Sequence, residues 1–113
     1  IDKHHYITNY LVMKTSVDIP AEWQNISNLF VALGDAHRQR ILLSFEPGER
    51  LSIGQIAAAS TLSRTAITHH LKVLEQGGAL RSEKVGKEVL FSIDKDCMQT
   101  SLQNVLNYIQ QDI

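Results

Sequence analysis

The doublet Gly77–Gly78 divides the chain into two regimes. Ahead of it, apolar residues recur every three or four positions, which is one face of an α-helix. Behind it they alternate, which is one face of a strand. Val89, Phe91 and Ile93 alternate with Glu88, Leu90 and Ser92. The stretch Leu80–Lys84 precedes them across a tip at Val85–Gly86–Lys87. That pattern predicts two strands and a tight hairpin. Glycine accepts the left-handed conformation in which helices often end, so the doublet is also a stop signal. The expected fold is mainly α, about five helices closed by a two-stranded hairpin.

The helices can be placed from stripes and caps. Asp18 and Pro20 open the first, with Trp23, Ile26, Phe30 and Leu33 as its apolar stripe and Gly34 as its stop. Asp35 caps a second that runs to about Phe45, with Ile41, Leu42 and Phe45 facing inward. Arg38 and Arg40 are expected to solvate this helix or to pair with Asp35 or Glu46. After the turn Glu46–Pro47–Gly48–Glu49, Ser52 caps a short helix holding Ile56 and Ala57 to Ala59. Ser60–Thr61–Leu62 leaves room for a tight turn only. Ser63 then caps a helix to about Gln76, with Ile67, Leu71 and Leu74 buried and His70 as a structural histidine beside them. A last helix, about Asp96–Gln110, carries Met98, Leu102, Val105, Leu106 and Ile109 on one face.

Length and composition bound the classes. A chain of 113 residues is one domain, expected over residues 18–113. Residues 1–17 read as a leader, derived from a tag or flexible; its Ile1–Val12 stretch lacks the apolar core of a secretory signal. A hydrophobic fraction of 43% and a charged fraction of 20% do not suit a disordered chain. No window holds eighteen uncharged apolar residues, so a membrane partner is not expected and a cytoplasmic location is. The single cysteine, Cys97, excludes an internal disulfide and a multi-cysteine metal cluster. No metal or cofactor is expected. Cys97 is a candidate redox residue only as a pair across a dimer.

The net charge of −1 conceals a division. Thr61–Lys87 holds Arg64, Lys72, Arg81, Lys84 and Lys87 against Glu75 and Glu83, a net of +3, so the rest of the chain carries −4. That positive stretch coincides with a recognisable arrangement. Two helices joined by a tight turn, followed directly by a hairpin, make a winged helix-turn-helix. The second helix presents Arg64, Thr65, Thr68 and His69 opposite its buried stripe, and Ser63 and Lys72 complete the candidate set. A duplex major groove admits one helix whose early side chains reach base edges. Double-stranded DNA is therefore the expected partner. Arg64 suits guanine, and Lys84 and Lys87 around Gly86 suit the backbone or the adjacent minor groove.

These residues resemble a known family. Leu33–Gly34–Asp35–Ala36–His37–Arg38–Gln39–Arg40–Ile41–Leu42 is similar to the second-helix signature of the ArsR/SmtB winged-helix repressors. The run from Leu62 to Leu74 is similar to their recognition helix, and Gly77 to Arg81 and the Gly86–Lys87 wing fit as well. The resemblance implies a dimeric repressor on an imperfect palindromic operator, released by an unidentified inducer, with half-sites roughly 34 Å apart. It implies a homodimer interface on the first and last helices, at Trp23, Ile26, Phe30, Leu102, Val105, Leu106 and Ile109. Many relatives sense metals through a cysteine pair before the turn, or through Asp, His and Glu on the last helix. Here Leu51–Ser52–Ile53–Gly54–Gln55–Ile56 has no cysteine, and no histidine follows Ile93. Thr61 stands where the family has glycine, and Ala36 where it often has proline.

Two other readings are weaker. A winged helix used only for protein contacts would not need the polar face of Arg64, Thr65, Thr68 and His69. An enzyme would need a catalytic motif, and no G-x-S-x-G, phosphate loop or H-E-x-x-H is present.

Overall fold

The structure, a computed structural model, describes residues 19–112. The expected leader at residues 1–17 and the opening at Asp18 lie outside the described residues. In chain order the elements are α1 (Ala21–Leu33), α2 (Ala36–Leu43), β1 (Leu51–Ser52), α3 (Ile53–Ala58), α4 (Arg64–Gln76), β2 (Leu80–Val85), β3 (Glu88–Ile93) and α5 (Lys95–Asn107), which ends in a π-helical turn at Tyr108–Asp112.

Local chemistry accounts for the helix boundaries. The Asp35 carboxylate accepts from the amides of His37 and Arg38 at 2.8 and 3.1 Å, satisfying donors that the first turn of α2 leaves free. Ser52 and Gln55 form a reciprocal capping box on α3, the Ser52 hydroxyl accepting from the Gln55 amide and the Gln55 side chain accepting from the Ser52 amide. Asp94 caps α5, which starts one residue before the expected Asp96, its carboxylate accepting from the Cys97 amide.

The core gathers Leu29 and Ala32 of α1, Ile41 of α2, Ile56 of α3, Ile67, Leu71 and Leu74 of α4, Ala79 and Leu80, and Phe91 of β3. The stripe expected on α1 needs correction. Its inward face is Ile26, Leu29 and Ala32, whereas Phe30 is 50% exposed. Each residue turns a helix by about 100°, so Phe30 lies on the flank beside Leu29. The hairpin is also not isolated. β1 pairs antiparallel with β3, Leu51 opposite Phe91 and Ser52 opposite Leu90, giving a three-stranded sheet in the order β1-β3-β2. The tip is a two-residue loop, Gly86–Lys87, between Val85 and Glu88. Gly86 has φ +62° and no other residue type has a positive φ among the described residues, the requirement of a turn whose first position alone is left-handed.

At Gly77 the helices α1 and α4 approach closely. A Cβ there would fall 2.6 Å from both the Ala32 Cβ and the Asn28 carbonyl oxygen. Glycine is required by contact at this position and by conformation at the next, where Gly78 has φ +74°. Gly77→Ala is expected to lower stability by about 1–3 kcal/mol, as overpacking does, measured by denaturant unfolding. A variant as stable as the parent would mean the helices can separate freely.

Candidate nucleic-acid interface

Helices α3 and α4 pack against each other through a turn closed by the Ser60 hydroxyl, which accepts from the Leu62 amide at 3.0 Å. Thr61 closes this turn with a negative φ, so glycine's freedom is not used here. The Ser63 hydroxyl accepts from the Ala66 amide at 3.1 Å, which leaves its own proton to donate outward. Arg64, Thr65, Thr68, His69 and Lys72 are all exposed, and Ile67, Leu71 and Leu74 are buried behind them. Thr68 is constrained in one respect that spacing does not reveal. Its hydroxyl donates to the Arg64 carbonyl at 2.8 Å, so towards a partner it offers lone pairs and a methyl group.

Lys84 and Lys87 are exposed on the wing. The fold brings Arg64 and Lys87 to one open cleft of about 420 Å³, with Ser52, Gly54 and Glu88 also on its walls. The start of the recognition helix and the wing tip are therefore neighbours. The two acids of the positive stretch are both engaged. Glu83 pairs with Arg50 at 3.3 Å, and the Glu75 carboxylate accepts from the Ser82 hydroxyl. The Arg50–Glu83 pair is well exposed and contributes little to stability.

Arg38 departs from expectation. It neither solvates α2 nor pairs with Asp35 or Glu46. Its guanidinium donates from Nε to the Ala32 carbonyl and from Nη2 to the Val31 carbonyl, both at 2.9 Å, and from Nη1 to His70 Nδ1 at 3.2 Å. Arg40 donates to His37 Nδ1 at 3.1 Å. His70 is half-buried and structurally engaged, as expected. Burial holds its imidazole below the usual histidine range, with the Asp35 charge opposing and the Arg38 charge adding. The Asp35 carboxyl is held low chiefly by the Arg38 amide.

The residues expected at a dimer interface divide. Ile26 is only 2% exposed and packs inside the protomer, so it is not available to a partner. Phe30, Leu102, Leu106 and Ile109 are exposed, and Val105 and Trp23 are half-buried. Trp23 meets Tyr108 edge to face at 5.2 Å. Tyr108 was not singled out by the stripe, although it lies three residues past Val105. Cys97 is exposed and its Sγ occupies the space a Cβ on Gly78 would need. Among the described residues, no three His, Cys, Asp or Glu side chains are grouped to hold a metal.

A helix pair with an exposed polar second helix, followed at once by a β-hairpin, defines a winged helix-turn-helix protein. A helix-turn-helix domain family matches residues 33–83. The transcriptional repressor SdpR of Bacillus subtilis is 29% identical over 86 residues, covering 76% of this chain and 94% of that one. The transcriptional repressor SmtB homolog of Synechocystis is 27% identical over 88 residues, covering 78% of this chain and 66% of that protein. Among solved structures, an ArsR-like transcriptional regulator from Rhodococcus superposes with a TM-score of 0.70 at 25% identity, covering 79% of this chain and 83% of its own. In sequence and in fold the chain is similar to winged helix-turn-helix regulators of the ArsR/SmtB kind.

The lowered His70 value has a consequence for stability. A histidine kept neutral by folding stabilises fully above its unfolded value of 6.5, and that contribution is lost as pH falls through 6.5 towards the folded value. The melting temperature is expected to fall between about pH 7 and pH 5.5, and His70→Gln to make that fall shallower. Equal slopes for parent and variant would remove His70 from the account.

Proposed function

We propose that the protein is a transcriptional repressor that binds double-stranded DNA as a homodimer, by recognition rather than catalysis, and is released by a cellular signal. It would act in the cytoplasm. The observation that carries this reading is the shared cleft of Arg64 and Lys87, which lets one protomer engage a groove and its flanking backbone together. Arg64, Thr65, Thr68 and His69 supply hydrogen-bonding groups for base edges, Ser63 and Lys72 suit phosphates beside them, and Lys84 and Lys87 suit the backbone. The names of the related repressors support the same reading. Exposed Phe30, Leu102, Leu106 and Ile109 give the homodimer an apolar face to bury. Two copies related by a two-fold axis would read an imperfect palindrome with half-sites about 34 Å apart.

Selection from a random duplex library at moderate salt is expected to recover such a palindrome. Recovery of no preferred sequence would sink the proposal. Arg64→Ala is expected to cost about 1–3 kcal/mol and to relax specificity at one position. Lys87→Ala is expected to weaken all sequences alike and to reduce the salt slope by about one. Leu106→Glu, at a residue 47% exposed, is expected to yield a folded monomer by sedimentation, with palindrome binding lost.

A further inference from the structure

Two imidazoles beside the recognition helix are oriented by guanidiniums. Arg38 donates to His70 Nδ1 and Arg40 to His37 Nδ1, at 3.2 and 3.1 Å. A guanidinium only donates, so both Nδ1 atoms accept and each ring carries its proton on Nε2, turned away from its arginine. The rings form a row. His69 and His70 are 5.6 Å apart between centroids, and His70 and His37 are 5.7 Å apart. The row therefore runs from the exposed face of α4 to the first turn of α2.

Its charged surroundings are one-sided. The charged side chains that act on His70 are Asp35 and Arg38, and Arg40 is bonded to His37. Asp35 is itself spent on the amides of His37 and Arg38. What remains is a cluster of donors. A metal ion does not suit it, because the guanidiniums hold the Nδ1 lone pairs and repel a cation. An anion does.

We propose that His37 and Arg40, bonded to each other on the exposed side of α2, form a seat for a DNA backbone phosphate flanking the groove that α4 enters. This rests on the DNA-binding reading above and adds to it a contact from α2, outside the helix-turn-helix and the wing. The His37 ring lies 5.7 Å from that of His70 on α4, so the pair sits beside the recognition helix. Arg40 supplies the charge and the His37 imidazole supplies an Nε2–H donor.

The test is binding of the full chain to its selected duplex and to a random duplex over a range of salt. Arg40→Gln is expected to weaken both by the same several-fold factor and to reduce the salt slope by about 0.9 per protomer. His37→Ala is expected to weaken both without a comparable change of slope. Lys95→Gln, an exposed cation on α5, should leave slope and affinity as they are. A purely structural Arg40–His37 pair would lower the melting temperature and leave the slope alone, which overturns the seat. If the parent binds duplex and Arg40→Gln binds identically, the seat falls while the DNA-binding reading stands. The seat also falls if, in addition, inorganic phosphate shifts the His37 ring resonances, because the site then serves a free anion. If the parent binds no duplex, both fall.

Discussion

The guanidinium of Arg38 ties three elements together. The last turn of α1 leaves carbonyls without a full i+4 partner, and two of them, on Val31 and Ala32, accept from this side chain, the Val31 oxygen also accepting from the Gly34 amide at 3.3 Å. Gln39 takes the next, on Leu33, at 2.7 Å. A cation at a helix C-terminus is also favoured by the helix dipole. The third donor reaches His70 on α4, so the end of one helix, the start of a second and the middle of the recognition helix share one planar group. Charge-assisted hydrogen bonds of this kind contribute about 1.5–3 kcal/mol each when they are not fully solvated. Lysine at this position would offer a point charge without the planar fork.

Much of this architecture was legible in the sequence because it is local. A serine or aspartate before an amphipathic run announces a helix, and Asp35, Ser52 and Ser63 all cap as their positions imply. The stripe Ile67, Leu71, Leu74 identifies the buried face of α4, and the exposed residues opposite it follow by geometry. What escaped was long-range. Arg38 and His70 are 32 positions apart, and no periodicity connects them. β1 is only two residues long, too short to show alternation, and becomes a strand through its pairing with Phe91 and Leu90. Phe30 was misplaced because an aromatic residue near a stripe is easily counted into it. The protomer core takes the smaller Ala32 instead, where α4 passes closely at Gly77.

The charge balance is understood better from contacts than from counting. Each acid of the positive stretch has a partner, Glu75 with Ser82 and Glu83 with Arg50. Arg64, Lys72, Lys84 and Lys87 stay exposed on the same stretch. A near-neutral chain can thus carry a local positive potential, which is the property a polyanion responds to.

The short strand β1 has a mechanical meaning. Its Ser52 is at once the cap of α3 and the partner of Leu90 in β3. The wing is therefore hydrogen-bonded to the first residue of the helix pair and does not hang from α4 by the Gly77–Gly78 junction alone. Anchored at two points, the base of the hairpin has one place beside the helix pair, and any swing of the wing must bend the strands beyond Leu90 rather than turn about the glycine junction.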